Sequence, residues 1–472
     1  MELFKLKNKN LLPFRFKKLK SWKYFLSTDY GDWVVLKENE FRDLIEWKEL
    51  DDNLKQLLIS KNILRNTEEK PEDLLKRLAG RWLLRHWYLL RWPSLHIVVV
   101  TLACNQSCRY CHASAPWKGK EYHMSKEVAK KVVDVIFQTT SGDVTIEFQW
   151  WEPLMNWEVV KFIIEYARQK NRKLWLNLKF ALVSNLTLMD EEKLKFLIDE
   201  DINISTSLDG PKDLHDWNRP WIGGSSYDKV VYWIEKINRE YLKRWRNKRV
   251  GGIVTVTRKS LDRYKDIVDV YLSLWLQQIF VRPLNPYWFA RRVWDKIWYT
   301  YREYLSFYKN LLNYISALKK KNINLIDVYS ETILWFNLQS LQRVNYMEER
   351  SPCGAVLGQL AYNRNWEIYT CDEWRMLAAV WDKSFLVWKI SLDKMSKEIW
   401  KEIILSFLTK VMVYSSLIDF IPWYSDNAIS PFCWVCPIYS YIESWNIISK
   451  YKKEMRYHLQ EDTIENLISK NN

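Results

Sequence analysis

Between residues 96 and 283 the apolar positions change period repeatedly. Short runs at 96–103, 143–149, 176–185, 202–208, 252–257 and 278–283 read as strands, while 126–137, 158–170, 191–200, 227–245 and 261–274 carry an apolar face at helical spacing. Strand and helix in alternation predict a parallel α/β sheet, here six βα units forming a partial barrel. Chemistry is expected on the loops that follow the strands, because such barrels carry their working residues at the carboxyl ends.

Outside this region the pattern differs. Two short apolar runs, 25–27 and 33–36, flank Thr28-Asp29-Tyr30-Gly31-Asp32, a hairpin signal, and helical patterns at 39–45 and 54–60 precede a polar segment at 66–73. Residues 299–321 read as a long basic helix whose aromatic stripe belongs to a core. A strand-like 367–370 leads into Cys371. Three consecutive units are predicted: 1–91, 92–325 and 326–472.

The loop leaving the first strand, 101–114, reads TLACNQSCRYCHAS. Its Cys104, Cys108 and Cys111 are spaced so that three thiolates can turn toward three corners of an iron-sulfur cube, since soft sulfur ligands suit iron. The remaining iron would lack a protein ligand and be open to a substrate or cofactor. A zinc knuckle competes, with His112 as its candidate fourth ligand. Four cysteines are left, Cys353, Cys371, Cys433 and Cys436, the usual complement of a fully ligated cluster, although Cys433-x2-Cys436 also fits zinc.

Composition narrows the classes. A chain of 472 residues with 48% apolar content can bury several cores. It shows no secretory signal and no apolar run of membrane-spanning length, and its cysteines fit a reducing cytoplasm, so a cytoplasmic protein without a membrane partner is expected. The formal charge of +15 suggests an acidic partner, nucleic acid, an acidic peptide or a membrane surface; the basic residues are spread along the whole chain and form no single block, so the signal is weak and nucleic acid is not the expected partner. Tryptophan and glycine are out of proportion, 28 against 11, where usage near 7% predicts about 33 glycines. Trp366 and Trp374 stand in turns where a small residue with φ > 0 is natural, and Trp434 is bulky for a ligand loop. The expectation is that the gene reads UGA as glycine and was translated with a table reading it as tryptophan. Trp33 and Trp157, in apolar or amphipathic contexts, read as genuine.

With Tyr110 as the aromatic, Cys-x3-Cys-x-aromatic-Cys resembles the signature of the radical S-adenosylmethionine (SAM) enzymes. The resemblance implies a 4Fe-4S cluster on Cys104, Cys108 and Cys111 whose open iron chelates SAM. It also implies reductive cleavage to a 5′-deoxyadenosyl radical and hydrogen abstraction from a substrate. Trp150-Trp151-Glu152-Pro153 stands where this family typically has Gly-Gly-Glu-Pro, whose carbonyls accept from the SAM amino group. Two indoles would fill that space, so Trp150 and Trp151 join the suspected glycines. By the same resemblance Asn185, Ser207 and Asp209 lie around the SAM ribose and carboxylate, and Arg282 could pair with a carboxylate. His215 reads as a helix-entry or loop-packing residue, with a substrate contact as the alternative.

The last unit resembles the SPASM or twitch domains appended to such enzymes, which implies an auxiliary 4Fe-4S cluster on Cys353, Cys371, Cys433 and Cys436. Asp372 and Glu373, beside Cys371, read as solvated acids, with a base or a peptide contact as the alternative. The first unit resembles the peptide-binding winged-helix modules of peptide-modifying enzymes. The expected fold class is therefore α/β: a partial (β/α)6 radical SAM barrel with an N-terminal winged-helix-like unit and a C-terminal SPASM/twitch-like iron-sulfur domain.

Over residues 20–450, the stretches SLHIVVVTLACNQSCRYC, IEFQWWEPLMNW, SNLTLMDEEKL, ISTSLDGPKDLHDWNRP, GGSSYD and IYTCDEWRML together resemble the B-type radical SAM maturase of the His-Xaa-Ser peptide system. That implies modification of a small ribosomally made precursor peptide, a second radical SAM maturase as partner, and an electron donor such as flavodoxin or ferredoxin. A sulfatase maturase, a non-catalytic peptide-binding relative and a zinc-containing nucleic-acid protein are the alternatives.

Overall fold

The structure is a computed structural model that describes residues 10–46, 48–111, 119–140, 142–285, 290, 293–343, 346–378, 382–390, 399–448 and 455–471. His112, the candidate zinc ligand, lies outside them. The chain divides into two compact units, one of residues 1–91, 330–354 and 412–472, the other of 92–329 and 355–411. This differs from three consecutive segments because the stretch after the barrel does not stay together. Its strands extend the barrel's sheet, and its helical ends pack with the N-terminal residues.

In the smaller unit, strands β1 (Arg15–Lys18), β2 (Tyr24–Ser27) and β3 (Trp33–Leu36) form an antiparallel sheet in that order. The predicted hairpin is β2–β3; β1 escaped notice because RFKK has one apolar position. Leu26, Val34 and Leu36 close a core with Leu44 and Leu58 from the helices Glu38–Glu46 and Asp52–Ser60. A third helix, Pro71–Arg85, begins inside the stretch read as polar, with proline at its first position and Glu72 and Asp73 in its first turn, where they complement the helix dipole.

The larger unit holds a ten-stranded sheet. Strands β4 (Leu95–Val98), β5 (Asp143–Phe148), β6 (Asn177–Ser184), β7 (Asn203–Ser207), β8 (Gly251–Thr255) and β9 (Gln278–Arg282) are parallel neighbours in chain order, each within a few residues of its predicted limits. Helices Lys126–Ile136, Trp157–Asn171, Glu191–Asp199, Ser226–Lys243 and Tyr264–Ser273 alternate with them as predicted. Ser125, Asp190 and Ser225 cap three of these helices by accepting from the backbone N–H three residues on. Beyond β9 the two-residue β10 (Ile326–Asp327) adds in parallel. Beyond β4 come β11 (Gln359–Tyr362), parallel to β4, then β12 (Glu367–Tyr369) and β13 (Leu386–Lys389), both antiparallel. The sheet is thus parallel through the barrel and mixed at one side, the α/β architecture that the resemblance implies. No helix of the described residues is long and apolar enough to cross a membrane.

Candidate active site

The cysteine loop follows β4 and is pinned along its length to the turn after residues 212–218. Ser107 N–H donates to Pro220 O at 3.1 Å, Arg109 N–H to Asn218 O at 2.9 Å, and Cys111 N–H to Cys108 O at 3.0 Å. Cys104, Cys108 and Cys111 are partly exposed and carry no disulfide. Behind Cys108 lies a buried charge network. Tyr110 Oη donates to Asp209 Oδ2 at 2.6 Å, Arg219 Nε to the same oxygen at 3.0 Å, and Thr255 N–H to Asp209 Oδ1 at 3.1 Å. Arg219 also reaches Cys108 Sγ at 3.8 Å. Burial pushes the Cys108 thiol up to about 12, against the pull of the Arg219 charge. Loading a metal on this loop therefore releases protons, and Arg219 is the cation placed to favour the thiolate.

His215 lies in the short helix Lys212–Asn218, buried, and its Nδ1 accepts from Asp209 N–H at 3.2 Å. Burial holds its pKa down at about 4, so it stays neutral and ties the helix to the β7 exit, the packing role read from sequence.

A second group forms at the exits of β5 and β6. Glu152 is fully buried, its N–H donates to Ala103 O at 3.1 Å, and its carboxylate accepts from Leu154 N–H at 2.9 Å and from Ser184 Oγ and Asn185 N–H at 2.8 Å each. Burial raises its pKa to about 7 despite those bonds. Asn185 Nδ2 donates to Asn105 Oδ1 at 2.9 Å and lies 3.9 Å from Cys104 Sγ. The β5 and β6 exits thus meet the cysteine loop. Ser207 is the last residue of β7, two before Asp209. Arg282 ends β9 with its guanidinium 5.5 Å from the Phe280 ring centroid.

Trp150 and Trp151 occupy the β5 exit with φ of 72° and 52°. Trp150 Nε1 donates to Asp372 Oδ2 at 2.8 Å, and Gln149 Nε2 to the same oxygen at 3.2 Å. The Arg375 guanidinium lies 4.5 Å from the Trp151 ring centroid. Both indoles pack on an apolar cluster of Ile97, Val99, Ala361 and Tyr369.

Asp372 and Glu373, expected to be solvated, are 1% and 5% exposed. The helix Asp372–Ala378 starts directly after β12, so its first turn is pressed onto the sheet. Trp374, placed by sequence in a turn, sits in this helix, fully buried and stacked on Phe385 with ring centroids 3.1 Å apart. Cys371, Asp372 and Glu373 hold their ligand atoms within 4.8 Å of one another. Sequence reasoning missed Arg219 and Arg375. Arg219 was inside the quoted DLHDWNRP, ten residues after Asp209, at a turn that returns the chain to the strand end.

The other predicted ligands divide between the units: Cys371 in the larger, Cys353, Cys433 and Cys436 in the smaller. Cys353 N–H donates to Ser416 Oγ at 3.0 Å, Cys433 O accepts from Arg343 Nη1 at 3.4 Å, and Cys436 precedes the helix Pro437–Ser444.

Residues 98–271 match the Radical SAM superfamily model. An uncharacterized protein of Methanocaldococcus jannaschii is 25% identical over 190 residues, 40% of this chain; the chain thus spans 62% of that relative's length. The Cysteine-type anaerobic sulfatase-maturating enzyme of Clostridium perfringens is 27% identical over 310 residues, 60% of this chain and 76% of the enzyme. Among solved structures, native anSMEcpe with bound AdoMet aligns with a TM-score of 0.63 at 16% identity, over 80% of this chain and 98% of the other. Streptococcus suis SuiB bound to precursor peptide SuiA aligns with a TM-score of 0.53 at 12% identity, over 95% and 99%. The cysteine loop at the first strand exit thus lies inside the part of the chain, residues 98–271, that is similar to the Radical SAM superfamily, and anSMEcpe and SuiB share its fold.

Proposed function

We propose that this chain is a peptide-modifying radical SAM enzyme acting on a ribosomally made precursor of the His-Xaa-Ser type. The observation that carries the reading is the cysteine loop backed by Arg219, Asp209 and Tyr110: three thiols at a strand exit with a buried cation aimed at one of them suit an anionic cluster. Cys104, Cys108 and Cys111 would hold the SAM-binding 4Fe-4S cluster, which with SAM supplies a hydrogen-abstracting radical. The auxiliary 4Fe-4S cluster that the SPASM or twitch resemblance implies is part of the same reading. Tyr110, Glu152, Asn185, Ser207, Asp209 and Arg282 are assigned to the SAM site. Of these, Glu152 fixes the β5 and β6 exits, and Asp209 locks Arg219 and Tyr110 behind the loop. Asp372, buried and with Oδ1 lacking a partner among the described residues, is the group placed to take a substrate proton.

A peptide substrate is supported by the neighbours, since anSMEcpe was solved with the Cp18Cys peptide and SuiB with its precursor peptide SuiA. Among the described residues β3 pairs only with β2, and it borders a groove lined by Val35, Leu36, Leu54 and Leu57 together with charged residues such as Lys37 and Glu40, a place where an extended leader could add as a strand. Similarity to the sulfatase-maturating enzyme supports a second substrate, a nascent sulfatase, which a sulfatase gene beside this one would favour.

The reading includes glycine at the strained tryptophans. Eight of the thirteen described non-glycine residues with left-handed φ are tryptophans: Trp22, Trp150, Trp151, Trp175, Trp245, Trp275, Trp366 and Trp445. That conformation costs a side-chain-bearing residue about 1–2 kcal/mol, and tryptophan has no polar group near its backbone to offset it. With glycine at 150 and 151 the β5 exit has room for SAM.

The test is anaerobic. The chain expressed with glycine at those eight positions, reconstituted with iron and sulfide, should carry about eight irons and release 5′-deoxyadenosine with reductant and SAM. Zinc in place of iron, or clusters without SAM cleavage, would overturn the enzyme reading. UGG codons at Trp150 and Trp151 would overturn the recoding.

A further inference from the structure

Among the described residues of the larger unit, Arg375 is the charged side chain with the most unpartnered nitrogens, its charge offset in part by Asp372 and Glu373 of the same helix. Its side chain is 1% exposed, and Nε, Nη1 and Nη2 all lack a hydrogen-bond partner among the described residues. No described carboxylate approaches it within ion-pair distance; its ring contact is the Trp151 indole at 4.5 Å. Burial lowers its pKa to about 10, so it remains a cation at neutral pH. A buried guanidinium with unmet N–H groups costs several kcal/mol, and buried charges are retained where a counter-charge meets them.

Its position says what that counter-charge would be. Arg375 and Asp372 are one helical turn apart on Asp372–Ala378 and face Trp151 and Trp150 respectively, the two residues at the β5 exit. With glycine there, the space of two indoles opens beside this helix, shared between SAM toward the cysteine loop and a substrate group against the wall that carries Asp372 and Arg375. A planar guanidinium pairs best with a carboxylate, in a bidentate bond that fixes orientation as well as position.

We propose that Arg375 is a specificity-determining residue that binds a carboxylate of the substrate peptide, from an acidic side chain or the C-terminus, and so presents the adjacent C–H to the site that Asp372 faces. This rests on the peptide-modifying reading above.

The test uses the full chain with glycine at the eight left-handed positions and both clusters reconstituted. Its probes are four synthetic His-Xaa-Ser peptides: Glu or Gln at Xaa, each with a free or an amidated C-terminus. Binding is measured by calorimetry in the unaltered chain, in R375K and in R375Q. The expected result is a preference of about tenfold or more for one carboxylate over its neutral counterpart. R375Q should abolish the preference, and R375K should restore part of it. The Glu/Gln pair and the free/amidated pair tell the two sources apart. Peptide binding that R375Q leaves equally selective overturns the assignment, as does a parallel loss of SAM binding, which would make Arg375 a SAM ligand. Failure of all four peptides to bind the unaltered chain overturns the peptide-modifying reading, and the proposal with it.

Discussion

The Trp150 indole N–H donates to Asp372 Oδ2 at 2.8 Å, so the residue at the exit of the second barrel strand caps a carboxylate buried in the first turn of the helix after β12. In the chain as written this bond blocks the carboxylate. Changing Trp150 and Trp151 together to glycine should therefore do two things: create SAM binding, measured by equilibrium dialysis, and free Asp372. Equal SAM binding before and after the change would mean that the indoles do not occupy the cofactor's place.

Asp372 itself should matter to turnover. D372N preserves shape and removes the base, so peptide modification should fall by about 100-fold or more, the range a positioned general base supplies. Mass spectrometry of the peptide reads this directly. Unchanged modification would assign the proton to another group.

Asp209 and Arg219 form a buried pair in which each remaining partner is left charged if the other is removed. D209A should destabilise the larger unit by about 3–5 kcal/mol and lower the iron held on the cysteine loop, because Arg219 and Tyr110 lose their common acceptor. Urea unfolding and iron analysis check both effects.

The barrel was legible because its strands carry buried positions in succession or in alternation between amphipathic helices, and its cysteine loop because the spacing lies within eight residues. What pairs across the chain was not. Nothing in QLAY says that β11 joins β4, since a fully buried four-residue strand has no alternation to betray it. The burial of Asp372 and Glu373 follows from the same event, β11 and β12 carrying the next helix onto the sheet. Arg219 was visible as a residue and silent as a partner, because only the folded turn brings it back to Cys108.

Glu152 gives a pH signature. Its ordinary pKa of 4.5 is raised to about 7 by burial, so the folded chain holds this proton more tightly than the unfolded chain. The stability it contributes is full below about 4.5 and is lost as pH rises through about 7, a change on the order of 3 kcal/mol. E152Q should flatten that part of the profile. Urea midpoints at pH 5 and pH 8 test it, and an equal slope in both proteins would show that another group titrates.

The exposed left-handed tryptophans isolate backbone strain from packing. Trp175, Trp245 and Trp275 follow helices ending at Asn171, Lys243 and Ser273, with φ of 53°, 54° and 58°, and are 88%, 97% and 79% exposed. Trp245 and Trp275 directly follow their helix C-caps and Trp175 closes the turn beyond its helix, positions where glycine takes the left-handed conformation without steric cost. Changing each to glycine removes almost no buried surface, so the gain should be the conformational term alone, about 1 kcal/mol per site and additive over three separated helices. Trp233 is the control. It lies inside the helix Ser226–Lys243 at 6% exposure, and W233G should cost about 3–5 kcal/mol through the cavity and the helix-interior glycine. Thermal unfolding of the four variants separates the cases: three stabilised and one destabilised fits glycine as the native residue at the caps alone, whereas destabilisation at all four would mean that the chain has adapted to its indoles.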